Sequence, residues 1–167
     1  MPVLIRPDST VRESFLAGTR AMCEEEGTET AWLDEAAADF DALVASRSQI
    51  RQMWDVPVTE LWYVDGPSYI GTVMIRHELT PALRRDGGHI GYHVVPGHRR
   101  RGHATAMLAA ACAWCRDLGL TRVLVTTTTE NVASRRVIEA NGGAPYGEAD
   151  GVLRYWIDLS GTSARST

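Results

Sequence analysis

The segment from Val94 to Leu108, "VVPGHRRRGHATAML", constrains the fold of this chain more than any other stretch. An apolar run ends at Pro96, three arginines follow, and Gly102 precedes small residues typical of a helix start. A strand is therefore expected to lead into a helix through a short, positively charged turn. Such a junction offers unpaired backbone N–H groups and the positive end of a helix dipole, and both favour phosphate binding.

The arginine run, Arg99 to Arg101, has three interpretations: a phosphate cradle, a nucleic-acid contact or a solvated charged run. Guanidinium groups match phosphate oxygens in geometry as well as in charge. The whole chain carries 17 Lys and Arg against 21 Asp and Glu, a net charge of -4, which argues against a nucleic-acid partner. The sequence contains no GxxxxGK[ST], and no GxGxxG follows a strand, so Walker-type and dinucleotide-binding loops are excluded.

Hydrophobic periodicity predicts the element order β-αα-ββ-β-α-β-α-β, with a further short strand near Pro145 to Ala149. At 167 residues and 44% hydrophobic content, we expect one domain over residues 1–160 and a polar tail over 161–167. The first helix is predicted to be capped by Ser9 or Thr10 and to run to Glu26. A second helix is predicted over "DEAAADFDALVAS", starting at Asp34, and a hairpin around the turn Asp65-Gly66-Pro67.

Neither the cysteines nor the histidines predict a metal or redox site. Cys112 and Cys115 form a CxxC, but they lie within a helical pattern that favours small core residues. His89 and His93 share a predicted strand, which separates them by about 13 Å, too far to bind one ion. We therefore predict no metal. No signal-peptide pattern and no run of ~18 apolar residues is present, so we expect a cytoplasmic protein without a membrane partner.

The motif Arg99-x-x-Gly102-x-Ala104, which follows "YHVVP" and opens a helix, resembles the Q/R-x-x-G-x-G/A signature of the GNAT superfamily of acyl-CoA-dependent N-acyltransferases. "TENVASRRVIEANGG" is similar to the superfamily's second element, in which an Asn opens a helix that ends in Gly near the acyl-transfer site. "GGHIGYHVVPGHRRRGHATAML" and "RYWIDL" resemble an acetyltransferase branch related to the ribosomal-protein N-terminal acetyltransferases. The resemblance covers most of the chain and is weakest before about Glu60.

The resemblance implies an α/β (α+β) GNAT fold with acetyl-CoA (coenzyme A) as cofactor. Its central sheet is expected to be mixed, mostly antiparallel, of six to seven strands, splayed at the cofactor site and flanked by about four helices. The turn would bind the coenzyme A pyrophosphate, and the backbone near Val94 would pair with the pantetheine arm. The cofactor-binding residues implied are Val94, Arg99, Arg100, Arg101, Gly102, His103, Ala104, Thr105 and Asn131. For Asn131, a role as helix N-cap explains the residue as well as a hydrogen bond to the pantetheine does, and one side chain can fill both roles.

Catalysis requires a group that takes a proton from the amine and a donor for the leaving thiolate. Many relatives use a Tyr in the second helix as this donor, and here that position is Ile138. The "NVAS" spacing resembles a version with a serine, so Ser134 is the candidate donor, although a hydroxyl there more often bonds backbone. Relatives carry Glu where this chain has His89, so His89 is the candidate base, unless it faces solvent at the strand start. The reserve candidates are Tyr92, His93, Glu130 and Tyr155.

We expect an N-acetyltransferase that moves an acetyl group from acetyl-CoA to a primary amine by direct attack in a ternary complex. The alternative is a catalytically weak acyl-CoA-binding or sensing module, which the missing tyrosine favours. A small-molecule or peptide amine is the expected partner, without nucleic acid, and a homodimer is left open. The acidic residues at the end of the first helix either line the acceptor side or form a solvated helix end; they are Glu24, Glu25, Glu26 and Glu29.

Overall fold

The first part of the chain forms one strand and a layer of three helices. The computed structural model describes residues 1–161. The elements are strand β1, Val3–Ile5; a 3-10 helix, Ser9–Val11; and helices α1, Arg12–Glu26, α2, Ala31–Ala38, and α3, Phe40–Arg47.

Four further strands complete the larger of two sheets. They are β2, Arg51–Met53; β3, Val56–Asp65; β4, Ser68–Arg76; and β5, Ile90–Val94. The strands lie in the order β1-β3-β4-β5, with β2 beside β3, and every pairing is antiparallel. The turn between β3 and β4 falls at Gly66 and Pro67, which confirms the predicted hairpin.

The remaining elements build a second sheet and the helices that pack beside it. Helix α4 spans Pro81–Arg85, α5 His103–Asp117 and α6 Val132–Ala140; the strands are β6, Arg122–Thr128, β7, Ala144–Ala149, and β8, Val152–Asp158. Their order is β6-β8-β7, again antiparallel. Strand β7 confirms the extra strand predicted near Pro145. The α/β fold class is confirmed, with eight strands and six α-helices within residues 1–161 where six to seven strands and about four helices were predicted. The expected central sheet of mixed strand direction is corrected to two sheets, both antiparallel throughout.

The two sheets meet at one point and separate beyond it. The N–H of His89 donates to the carbonyl of Leu124 at 2.8 Å, and the N–H of Leu124 donates back to the imidazole Nδ1 of His89 at 2.9 Å. A Cβ on Gly88 would lie 2.3 Å from that same carbonyl, so this approach needs glycine. Among residues 1–161, β5 and β6 form no ladder with each other, so the predicted splay begins at the His89–Leu124 contact.

Strand β3 contributes side chains to a different hydrophobic cluster on each of its two faces. Leu61 and Tyr63 belong to a cluster with α5, α6 and the second sheet, whereas Trp62 and Val64 belong to a cluster with α1, α2 and α3. Alternate residues of a strand point to opposite faces, so a strand covered on both sides is buried along almost its whole length. This defines a helix α5 face and a helix α1 face of the larger sheet.

Several local predictions need correction. Asp8, not Ser9 or Thr10, caps the N-terminal turn, because its carboxylate accepts the Thr10 N–H at 2.8 Å. The second helix begins at Ala31 instead of Asp34 and is broken at Asp39, whose carboxylate caps α3 through the Ala42 N–H at 3.1 Å. An aspartate side chain that caps a new helix competes with continuation of the old one.

Two elements, β2 and α4, were missed because each is short and lacks a clear period. The predicted polar tail, residues 161–167, lies outside the described residues from position 162 onward. No helix within residues 1–161 has the length and apolar character needed to cross a bilayer.

Candidate active site

A cavity of about 290 Å³ lies where the sheets separate. The end of β5, the turn before α5 and the first turns of α6 form its walls. Seven of the nine predicted cofactor-binding residues line it: Val94, Arg99, Arg100, Gly102, His103, Ala104 and Thr105. The lining also includes His98, Ala133 and Val137, which were not predicted. Ala133 and Val137 lie four apart on one face of α6, so their helical spacing was the available signal.

The turn before α5 has backbone features that favour anion binding. Gly102 is the N-cap of α5, with φ of 79°, and no side chain caps the helix start. Arg100 also has positive φ, 62°, which is costly for a residue with a Cβ and typical of functional sites. When residues with positive φ alternate with right-handed residues in a turn, successive backbone N–H groups point into one concavity. The dipole of α5 adds positive electrostatic potential at the same place.

The three arginines are not equivalent. Arg99 donates to both carboxylate oxygens of Glu25 on α1, at 2.9 and 2.8 Å, and its Nε donates to the carbonyl of Val94 at 3.0 Å. This side chain therefore ties the turn to α1 and to β5, and Glu25 balances its charge. Arg100 and Arg101 are exposed. The Glu25 carboxylate thus pairs with the turn before α5, a contact that neither interpretation of the acidic helix end included.

At the mouth of α6, Asn131 acts as an N-cap. Its Oδ1 accepts the N–H of Ser134 at 3.0 Å. The hydroxyl of Ser134 lies 2.8 Å from the hydroxyl of Tyr92 on β5, and both side chains are half-buried. Burial raises the pKa of Tyr92, and the hydrogen bond with Ser134 acts in the opposite direction. The two hydroxyls form a bridge between β5 and α6, close to Ala133 of the cavity wall.

Ile138 occupies the position at which many relatives carry tyrosine, and it is completely buried in the core. A Cβ on Gly143 would lie 2.4 Å from Ile138 Cγ2, so the chain after α6 is packed directly on this side chain. The aliphatic residue therefore contributes packing, and the half-buried phenol between β5 and α6 comes instead from Tyr92.

His89 is buried, with only 6% of its surface exposed, and lies at the point where the sheets meet. Its Nδ1 accepts the N–H of Leu124, so the neutral ring carries its proton on Nε2. Burial, followed by the charges of Arg84, Arg76 and Arg122, lowers its pKa to about 4. The role of His89 as a base stays a prediction, and these contacts give the imidazole a structural role that needs no proton transfer.

Two cysteines of α5 are buried in the same core as Ile138. Burial raises the pKa of Cys112 to about 11 and that of Cys115 to about 12, so both thiols are protonated at neutral pH. Within residues 1–161, no three His, Cys, Asp or Glu side chains are grouped in a way that could hold a metal ion.

Residues 5–144 match the family described as the acetyltransferase (GNAT) domain. This match spans most of the chain, so the protein belongs to the GNAT acetyltransferase family, whose acyl donor is acetyl-CoA. It is also similar to the uncharacterized N-acetyltransferase YoaA of Bacillus subtilis (strain 168), with 32% identity over 99 residues, or 59% of this chain. The aligned region spans about half, 52%, of that relative's length.

Solved structures share the fold over nearly the whole chain. The microcin C7 self-immunity acetyltransferase MccE, in complex with acetyl-CoA and AMP, superposes with a TM-score of 0.65 at 15% identity, over 94% of this chain and 92% of that chain. The ribosomal L7/L12 alpha-N-protein acetyltransferase RimL, in complex with coenzyme A, gives a TM-score of 0.66 at 14% identity, over 95% of this chain and 94% of that chain. At these identities the likeness establishes the fold alone.

Proposed function

We propose that residues 1–160 form one acetyltransferase domain that transfers an acetyl group from acetyl-CoA to a primary amine of a small molecule or peptide, by direct attack in a ternary complex. The observation that carries this proposal is the anion-binding turn at the start of α5, which opens into a cavity at the splay of the sheets. Bound acetyl-CoA supplies an activated acetyl carbon, whose bond to sulfur breaks as its bond to the amine nitrogen forms.

Different residues of this chain bind different parts of acetyl-CoA. The backbone N–H groups of the turn, from Arg99 to Thr105, and the exposed Arg100 and Arg101 hold the phosphates. The open edge of β5 at Val94 receives the pantetheine arm as a neighbouring strand would. Asn131 does not line the cavity, and its cap orders the start of α6, which carries Ala133 of the cavity wall.

Ser134 is the proposed proton donor to the leaving sulfur, and its 2.8 Å contact with Tyr92 holds the hydroxyl in place between β5 and α6. Neither cysteine enters the reaction, since both thiols are buried and protonated. A peptide N-terminus, an amino acid, a polyamine and an aminoglycoside all fit this chemistry. The first of these is the kind of acceptor in the name of RimL, an alpha-N-protein acetyltransferase.

Two measurements test the proposal together. Calorimetry with acetyl-CoA is expected to show saturable one-to-one binding, and a panel of peptides, amino acids, polyamines and aminoglycosides is expected to contain an amine that triggers free-thiol release. Binding without thiol release from any amine would favour the acyl-CoA-sensing alternative. Absence of acetyl-CoA binding would refute the assignment of the cavity.

A further inference from the structure

A chain of three polar side chains lies on the helix α1 face of the larger sheet and is not part of the cofactor turn. The hydroxyl of Tyr69 lies 2.6 Å from Oγ1 of Thr72 and 3.3 Å from Nε2 of His93. Thr72 on β4 and His93 on β5 are directly opposite each other in the ladder, which places their side chains on one face. Tyr69 and Thr72 are buried, and His93 is half-buried.

Packing alone does not account for these polar groups. The ring of Tyr69 packs against Phe15 and Trp62, with centroids 4.8 and 5.6 Å away, and a phenylalanine would fill the same space. A buried hydroxyl is tolerated only when it is hydrogen-bonded, and an apolar side chain avoids that requirement. The polar chain leads outward to His93, whose neighbour Val94 lines the cofactor cavity.

Charged residues of four segments act on His93: α1, β3, the turn before α5 and α3. Glu26 of α1 and Glu60 of β3 favour the imidazolium, while Arg99 of the turn and Arg47 of α3 disfavour it. Burial is the largest influence and lowers the pKa of His93. The ring is therefore neutral at pH 7 and able to accept a proton, and the charges of Glu26 and Glu60 favour the cation that results.

We propose that His93 takes the proton from the acceptor ammonium, with Tyr69 and Thr72 as positioning residues; this inference rests on the proposed acetyl transfer. Nε2–H of His93 donates to the Tyr69 oxygen, and the Tyr69 hydroxyl donates to Thr72, which leaves the lone pair on Nδ1 to accept. The ammonium N–H bond breaks, its electron pair stays on the substrate nitrogen, and the proton binds Nδ1. The imidazolium then returns this proton to water.

The orientation follows from hydrogen-bond chemistry. A neutral imidazole has one donor and one acceptor nitrogen, and its contacts select the tautomer. Burial raises the pKa of Tyr69, so its hydroxyl stays neutral and serves as acceptor for Nε2–H. The acceptor amine accordingly approaches from the helix α1 face, on the side of Glu26, while the hydroxyls of Tyr92 and Ser134 lie on the opposite face.

The first test compares His93→Gln with the wild type across pH 6 to 10, using the amine found in the acceptor screen and free-thiol release as the readout. Loss of a general base is expected to lower the rate about 100-fold or more at pH 7, with recovery at high pH where the amine deprotonates unaided. Acetyl-CoA affinity should change less than about twofold. His77→Gln is the matched control, because His77 also bonds a strand hydroxyl, that of Thr59 at 2.7 Å.

The second test addresses the positioning role. Tyr69→Phe keeps the ring but removes the acceptor for Nε2–H, so the imidazolium loses a stabilising partner. The acid limb of the pH–rate profile should move to lower pH, and the plateau should fall about 3- to 10-fold because the ring is less well oriented. A merely structural role for Tyr69 would alter thermal stability without moving the profile.

The outcomes separate this inference from the proposed function. If the wild type binds acetyl-CoA and turns over but His93→Gln overlays it, His93 is not the base and only this inference is overturned. A loss of rate in His89→Gln, with His93→Gln unaffected, would assign the base to His89. If the wild type releases thiol with no amine at all, the proposed function and this inference fall together.

Discussion

The hydroxyls of Tyr92 and Ser134 lie 2.8 Å apart and connect strand β5 with the first turn of helix α6. This contact puts a phenol between β5 and α6, although the α6 position that carries tyrosine in many relatives is Ile138. Tyr92 belongs to the strand, whereas position 138 belongs to the helix. The aliphatic residue at position 138 is therefore compatible with an acid-assisted mechanism.

Ser134→Ala should lower thiol release about 10- to 100-fold, on the scale of one lost hydrogen bond in the transition state. Acetyl-CoA affinity should be little changed, because the substitution lies outside the proposed phosphate-binding turn, residues 99–105. Tyr92→Phe should lower the rate as well, and the double variant should lose less than the product of the two single losses, since each hydroxyl acts through the other. Independent, multiplicative losses would show that the bridge is not used in the reaction.

Gly102→Asp should abolish acetyl-CoA binding while the protein remains folded. The substitution adds a negative charge and a side chain where phosphate must approach, at a position with φ of 79° and open space around the missing Cβ. Gly97→Asp controls for the added charge alone, since Gly97 also has open space but has neither a positive φ nor a place in the cavity lining. Calorimetry and circular dichroism on both variants separate lost binding from lost folding, and equal affinities would place the cradle elsewhere.

Arg100→Ala should weaken acetyl-CoA binding more than Arg99→Ala does at low salt. Glu25 already balances the charge of Arg99, whereas Arg100 is exposed and borders the cavity. The effect of Arg100→Ala should shrink between about 0.02 and 0.5 M NaCl, because salt screens exposed charges. Affinities measured over this salt series check the ranking, and a larger, salt-sensitive loss in Arg99→Ala would contradict it.

The turn before α5 could be predicted from the sequence because its features are local. Proline, arginines, glycine and the helix start follow one another in the sequence. The contacts that assign individual side chains are not local: Arg99 pairs with Glu25 from 74 residues away, and Tyr92 meets Ser134 from 42 residues away. No periodicity in the sequence encodes such pairs.

The same limit applies to the predicted base. The family resemblance made His89 the candidate base, but its imidazole accepts the Leu124 N–H across 35 residues, a contact visible only once the two sheets are placed. The prediction of one helix before β2 was wrong for a different reason. Asp39 lies in a helical sequence pattern, but its side chain caps α3 and so ends α2.

Replacing Cys112 and Cys115 together by alanine should leave thiol release within about twofold of the wild type. Both thiols are protonated and buried in α5, so an acyl-enzyme on either would need a costly ionisation. In the wild type neither should react with a small alkylating reagent at pH 8 while the protein is folded. A double variant that folds and binds acetyl-CoA but does not turn over would contradict direct transfer.

The last prediction concerns the pH dependence of stability caused by His89. Its pKa of about 4 lies below the ordinary value of 6.5, so the unfolded chain binds this proton more tightly than the folded one does. The stabilisation is fully present above pH 6.5 and is lost as the pH falls through 4, a change on the order of 3 kcal/mol.

The matched variant for this prediction is His89→Gln, whose amide oxygen can still accept the Leu124 N–H but does not titrate. Urea unfolding at pH 7.5, 5.5 and 4.5 should therefore show the free energy of unfolding falling more steeply for the wild type than for His89→Gln. His89→Ala should instead lose about 1–3 kcal/mol already at pH 7.5, because the buried Leu124 N–H is left without its acceptor. Parallel pH dependences for the wild type and His89→Gln would mean that the imidazole is not held neutral where the two sheets meet.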